Sequence, residues 1–161
     1  MTSAPTRTAA WAGPVHTAGA VLLGLIGLAH LLVVHTFNGA DSPEEEIVND
    51  LSRQTITPMF EGGREVTVFG LNTGYSVGMG LCALLFSALA VIAARRAPQL
   101  LERWSAFSAA CTAAAAGTFW IACLYFPEIP VVVSGLATVC FAAVLVAGPR
   151  AKDGARAANG Q

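Results

Sequence analysis

Four long stretches of the chain contain no Asp, Glu, Lys or Arg, and they constrain the fold more than any other feature. They comprise residues 8–40, 66–94, 104–127 and 129–149. Since a helix needs about 20 mainly apolar residues to cross a bilayer, each stretch is long enough to form a membrane span. Four spans use most of a 161-residue chain. This excludes a soluble enzyme, a nucleic-acid-binding protein and a disulfide-stapled secreted domain.

The sequence therefore predicts an all-α, polytopic membrane protein. We expect a single membrane domain over residues 1–161, folded as an antiparallel four-helix transmembrane bundle. Its predicted spans cover about residues 12–37, 66–94, 104–126 and 129–148. An outer loop covers residues 38–65, and a tail of Ala, Gly and charged residues covers 150–161. The first apolar stretch is longer than the core of a secretory signal, about 7 to 15 residues, so we expect it to stay attached.

The basic residues are distributed unevenly once the loops are assigned to alternate sides of the membrane. Seven of the nine lie on one side, namely Arg7, Arg95, Arg96, Arg103, Arg150, Lys152 and Arg156. Because cytoplasmic loops are enriched in Lys and Arg, both termini are predicted to be cytoplasmic. Eight of the ten acidic residues lie on the opposite, outer side. A neutral or cationic ligand would approach that side more easily than an anionic one.

The outer loop carries a signal for a short helix. Ser42 is a suitable N-cap, Pro43 suits the first helical position, and Glu45 can close a capping box. A helix over residues 43–53 would have one narrow apolar face, formed by Ile47, Val48 and Leu51. We expect it to lie on the membrane surface or over the mouth of the bundle. The alternative is a solvated acidic loop.

Small residues recur at helical spacing on the first two spans. On the first span, Gly24 and Gly27 share a face with His30, which is predicted to point into the bundle. On the second span, Gly70, Gly74 and Gly78 recur every four residues. Such faces let helices approach closely in lipid, so this second face predicts self-association or association with a larger membrane partner. The opposite side of that span also carries small and polar residues, namely Asn72, Ser76, Gly80, Ala83 and Ser87.

One polar side chain from each predicted span lies at a similar depth. At 1.5 Å per residue, four of them fall roughly 7 to 11 Å below the outer surface: His30, Asn72, Trp120 and Ser134. We predict a small outward-opening pocket lined by them together with Tyr75 and Ser76. Its mouth would carry Glu61, Arg64, Glu65, Glu128 and His35. The alternative is that these polar groups only hydrogen-bond neighbouring helices.

Two classes of function fit this pocket. The first is a binding, transport or accessory subunit for a lipophilic or small neutral or cationic ligand, since the sequence has no complete catalytic motif. The second is a membrane enzyme, an isomerase or cyclase acting on an isoprenoid-like or other lipophilic substrate. His30 would then carry the proton, with Glu61, Glu65 or Glu128 as its acidic partner.

Metal and cofactor sites have little support in the sequence. The four cysteines all lie within predicted spans and form neither a C-x-x-C motif nor a local Cys/His cluster, so we predict no metal site. All three histidines, His16, His30 and His35, are on the first span, which excludes a bis-histidine haem within one chain. A haem shared by a homodimer, or with another axial ligand, stays open. We expect no cofactor.

The segment Glu61-Gly62-Gly63-Arg64, followed by Gly74-Tyr75-Ser76 and Met79-Gly80, resembles small four-span bacterial membrane proteins grouped loosely with the DoxX-like families. The similarity covers the whole four-span layout. It implies a bacterial inner-membrane protein with an antiparallel helix bundle, in a group where some members are linked to redox complexes. The chain has no C-x-x-C or quinone signature to support a redox role, and no functional residue is carried over.

Overall fold

The computed structural model describes residues 10–36, 42–58 and 61–149, and these residues are mainly helical. The α-helices are α1 (Ala12–Thr36), α2 (Pro43–Gln54), α3 (Val68–Arg96), α4 (Ala106–Tyr125) and α5 (Glu128–Ala147). A 3₁₀ helix (Pro98–Leu101) joins α3 to α4, and two short strands, β1 (Ile56–Pro58) and β2 (Glu65–Thr67), lie between α2 and α3. The predicted all-α class is confirmed.

Four of the helices, α1, α3, α4 and α5, are long and apolar enough to cross a membrane. Two of them, α3 and α4, begin two residues later than the predicted spans. Helix α3 begins at Val68 because the residues just before it form β2, which pairs with β1 so that Pro58 lies opposite Glu65. Helix α4 begins at Ala106 because Ser105 caps it by accepting a hydrogen bond from the backbone N–H of Ser108, at 3.0 Å.

The chain divides into two compact units. Unit one comprises the described residues up to Ile26 together with those from Ala83 onward, and unit two is Gly27–Cys82. Helices α1 and α3 each contribute to both units. Each unit has its own packing.

Unit one is held by small and aromatic side chains. Helices α4 and α5 follow each other closely in sequence and pack along each other. Phe141 is fully buried, and Ala115 and Ala137 are buried beside it. A Cβ added at Gly19 would lie 3.0 Å from the Cβ of Cys140, so glycine allows α1 to approach α5 closely there.

His16 is fully buried in unit one. Its ring stacks on Phe107, with centroids 5.5 Å apart, and meets the ring of Phe141 edge to face at 4.8 Å. Neither ring nitrogen has a hydrogen-bond partner among the described residues. The side chain therefore packs chiefly as an aromatic ring.

Unit two has a compact polar connection between its helices. Ser42 caps α2 by accepting a hydrogen bond from the backbone N–H of Glu45 at 3.2 Å. The strands β1 and β2 then pair antiparallel, with Thr57 opposite Val66. The backbone N–H of Val68 donates to the carbonyl oxygen of Thr55 at 2.9 Å, which joins the end of α2 to the start of α3. This strand pair is not among the elements that the sequence predicts.

Candidate functional site

Helix α3 presents one small-residue face to α1. In unit two, a Cβ added at Gly80 would lie 2.6 Å from Cγ of Leu31 and 3.2 Å from the carbonyl oxygen of Gly27. Glycine at position 80 therefore allows the two helices to touch. One turn earlier on the same face, Nε2 of His30 and Oγ of Ser76 form a hydrogen bond of 2.7 Å.

The opposite face of α3 carries the glycine repeat. Gly74 and Ser76 lie about 200° apart around the helix, at about 100° per residue. An added Cβ at Gly74 or Gly78 would meet no described atom within 4 Å. At Gly70 the only close atom would be Oγ1 of Thr67, at 3.1 Å. Within the part of the chain that the structure describes, this repeat packs against no other helix.

An open groove of about 650 Å³ runs along this uncovered face. Its lining residues come from the end of the hairpin and the first two turns of α3: Arg64, Glu65, Val66, Thr67, Gly70, Leu71, Gly74 and Tyr75. The charged residues, Arg64 and Glu65, precede the apolar helix, whereas Leu71 and Tyr75 belong to it. The groove therefore combines a charged end with an apolar body.

Local sequence explains how the groove forms. Glycine at positions 70 and 74 leaves the helix surface without side chains, and Tyr75 stands beside that bare surface with 57% of its own surface exposed. The hydroxyl of Thr67 accepts a hydrogen bond from the backbone N–H of Gly70 at 3.0 Å, which satisfies a donor in the first turn of α3. The arrangement can hold an amphiphile, with its polar part near Arg64 and Glu65 and its apolar part along α3.

Three of the sequence-predicted site residues, Arg64, Glu65 and Tyr75, lie together in this groove. Two others, His30 and Ser76, bond to each other on the opposite side of α3. Nε2 of His30 bonds to Ser76 in the described residues, and the pairing of His30 with an acidic residue stays a prediction.

The other predicted residues have varied surroundings. Glu61, Asn72 and Glu128 are exposed, and Trp120 has 67% of its surface exposed. Ser134 is fully buried, and its hydroxyl donates to the carbonyl oxygen of Pro130 at 2.6 Å within its own helix. His35 belongs to α1, but its side chain lies outside the described residues. That these residues share one pocket stays a prediction.

Sequence reasoning missed part of the groove. Val66, Thr67 and Leu71 are ordinary residues for the start of a span, and no spacing pattern distinguishes them. The three glycines at four-residue spacing could have indicated these residues. Glycines leave a bare helix surface, which can form the floor of a groove as well as a packing face.

The described residues contain no cluster of side chains suited to binding a metal ion. Across ranges 10–36, 42–58 and 61–149, no group of three or more His, Cys, Asp and Glu side chains is arranged to hold an ion. Cys82 and Cys123 are exposed free thiols, whereas Cys111 is buried.

Comparison of the chain with protein-family models, curated proteins and solved structures finds no match. The resemblance to DoxX-like proteins, and the bacterial origin that it implies, therefore stay predictions.

Proposed function

We propose that the protein is a multi-pass membrane protein that binds a lipophilic or small neutral or cationic molecule in the α3 groove. It acts as a binding, transport or accessory subunit. The observation that carries this proposal is the groove lined by Gly70, Gly74 and Tyr75, with Arg64 and Glu65 at one end. The protein resides in a bacterial inner membrane, with helices α1, α3, α4 and α5 as an antiparallel four-helix bundle.

The chemistry of the groove favours an amphiphilic ligand. Arg64 and Glu65 carry opposite charges, so this end of the groove accepts a neutral or zwitterionic group without a net repulsion. The apolar part covers a ligand chain against Leu71 and Tyr75. Small-molecule sites are likewise mostly apolar with a few polar groups, and they are usually more enclosed than this open groove.

The alternative enzyme function keeps only part of the residue set that the sequence suggested. Of the predicted catalytic residues, Glu65 lies in the groove beside Tyr75, whereas His30 contacts Ser76 on the other face of α3. An isomerase or cyclase would therefore use Glu65 as its acid and Tyr75 as an aromatic wall. Binding is preferred because Glu65 is the only carboxylate among the residues that line the groove, and no histidine lies among them.

A second candidate function is association through the glycine face. It is favoured by the open space around Gly74 and Gly78, since small residues at four-residue spacing allow another membrane helix to approach closely. A second copy of the chain or a larger partner would then cover Gly70, Gly74 and Gly78.

Two matched variants separate ligand binding from association. Gly74→Leu places a side chain in the groove, whereas Gly78→Leu places the same side chain one turn farther along, beyond the lining residues. The full-length protein, extracted in mild detergent, is analysed by native mass spectrometry for bound small molecules and for oligomeric mass. Ligand binding predicts that bound molecules are lost in Gly74→Leu and kept in Gly78→Leu.

Other results would contradict the proposal. A reduced oligomeric mass in both variants, with no bound molecule in the unchanged protein, would favour association. Equal ligand retention in both variants would reject the groove as the site. A lipid product that forms only with the intact protein and disappears in Glu65→Gln would establish the enzyme instead.

The topology has its own test. Reporters active only in the cytoplasm or only outside it are fused to the C-terminus of the full chain. Cytoplasmic activity is expected from the distribution of basic residues. An external C-terminus would overturn the proposed orientation.

A further inference from the structure

Helix α2 has an apolar face that no described residue covers. Its three large apolar side chains, Ile47, Val48 and Leu51, are 64 to 68% exposed. No residue of this helix is buried. In water such a face would be unfavourable, because each large apolar side chain gains about 1.5 to 3 kcal/mol from full burial.

The polar side of α2 is the side that faces α3. The guanidinium carbon of Arg53 lies 4.4 Å from the centre of the Phe69 ring, and the same side chain forms an ion pair with Asp50 at 3.0 Å. At about 100° per residue, Arg53 lies about 140° to 240° around the helix from the three apolar residues. The contact with Phe69 therefore turns the apolar face away from the start of α3.

The end of α2 is fixed beside the first residue of an apolar helix. Thr55, the C-cap of α2, accepts the backbone hydrogen bond of Val68, the first residue of α3. Leu51 lies four residues before Thr55, about 6 Å along the helix axis. The exposed apolar face therefore begins within a short distance of the point where α3 enters the membrane.

We propose that α2 is an interfacial helix whose Ile47, Val48 and Leu51 side chains contact the acyl chains of the membrane that α3 crosses. Lipid is the occupant because the backbone hydrogen bond between Val68 and Thr55 holds the end of α2 at the first residue of a helix that is long and apolar enough to cross a membrane. Glu44, Glu45, Glu46 and Asp50 make the rest of the helix acidic. Contact is therefore apolar and does not depend on anionic lipid headgroups. This inference is independent of the α3 groove.

Depth measurement by spin labelling tests the proposal on the full chain. The four native cysteines, Cys82, Cys111, Cys123 and Cys140, are replaced by alanine, and single labels are introduced as Val48→Cys or Glu46→Cys. These positions lie about 160° apart around the helix, so they form a matched pair. The protein is reconstituted in phosphatidylcholine nanodiscs, and accessibility to oxygen, which partitions into lipid, is compared with accessibility to a water-soluble nickel chelate.

The expected result is a several-fold higher ratio of oxygen to nickel accessibility at position 48 than at position 46. Labels introduced as Ile47→Cys and Leu51→Cys should follow position 48. Equal and high nickel accessibility at positions 46 and 48 would overturn the proposal, because the face would then be in water. Low accessibility to both reagents at position 48 would also overturn it, because protein, such as a second copy, would then cover the face.

A second measurement guards against misfolding in the cysteine-free background. Leu51→Gln and the control Asn49→Gln are made in the chain with its cysteines intact, and amide hydrogen exchange of α2 is compared in nanodiscs and in detergent. Faster exchange in Leu51→Gln alone, seen in nanodiscs, is expected. Equal exchange in both variants would contradict the lipid contact.

Discussion

The two small-residue faces of α3 look similar in sequence, yet they have opposite surroundings. One face packs on α1, through Gly80 in unit two and through Ser87 against Gly24 in unit one. The other face, with Gly74 and Gly78, is free of contacts among the described residues. The difference teaches that small residues at four-residue spacing permit close approach but do not show whether another helix is there.

Placing a bulky residue on the packed face tests this difference most strongly. Gly80→Leu would force a side chain into the space occupied by Leu31, because even a Cβ would lie 2.6 Å from its Cγ. Overpacking of this kind should lower the free energy of unfolding by about 2 to 3 kcal/mol. The measurement is unfolding in mixed micelles with increasing SDS, followed by circular dichroism. The same stability in Gly80→Leu and Gly78→Leu would show that the two faces do not differ.

A smaller loss of stability is expected in unit one, where Gly24 lies against Ser87. A Cβ at position 24 would lie 2.5 Å from Oγ and 2.9 Å from Cβ of Ser87, so Gly24→Ala should cost about 1 to 2 kcal/mol. Adding Ser87→Gly removes the clash and should restore part of the stability. A double-mutant cycle measures this coupling. Simple additivity of the two changes would contradict the contact.

The hydrogen bond between His30 and Ser76 should contribute less. Ser76→Ala removes the hydroxyl that His30 contacts at 2.7 Å, and such bonds between membrane helices average about 0.6 kcal/mol. Ser87→Ala serves as a control elsewhere on the packed face. If a loss of several kcal/mol accompanies Ser76→Ala alone, this polar contact matters more to α3 than its glycine packing.

The smallest effect is expected on the free face. Gly78→Ala adds a methyl group where no described atom lies within 4 Å, so it should cause no loss of stability. Because alanine favours helix, a gain of up to about 1 kcal/mol is expected. A clear loss in the same unfolding assay would mean that a partner helix covers this face.

Much of the fold could be predicted because the physical signals were local. The charge-free windows identify the four long helices, and Ser42 with Pro43 identifies the start of α2. The ribbon of β1 and β2 could not be predicted, since Ile56-Thr57-Pro58 is short and includes a proline. The backbone bond of Val68 to Thr55 is a consequence of tertiary pairing.

The candidate site was predicted only in part. Arg64 and Glu65 are predicted at the mouth because they precede a span, and Tyr75 is predicted below them by its depth along that span. Depth along the helices could not show whether these residues lie beside His30, since depth does not specify which side of a helix a residue occupies. The hydrogen bond to Ser76 places His30 on the packed side of α3, away from Tyr75. In the sequence, His16 is only one of three histidines on the first span, although the structure buries it between two phenylalanine rings.

The most direct test of the account is to measure stability and ligand content on the same sample of Gly74→Leu. If the free face of α3 is a binding surface, the free energy of unfolding should stay near that of the unchanged protein, while the bound amphiphile is lost. Gly78→Leu should keep both properties. A stability loss in Gly74→Leu as large as that in Gly80→Leu, or full retention of the bound amphiphile, would contradict the account.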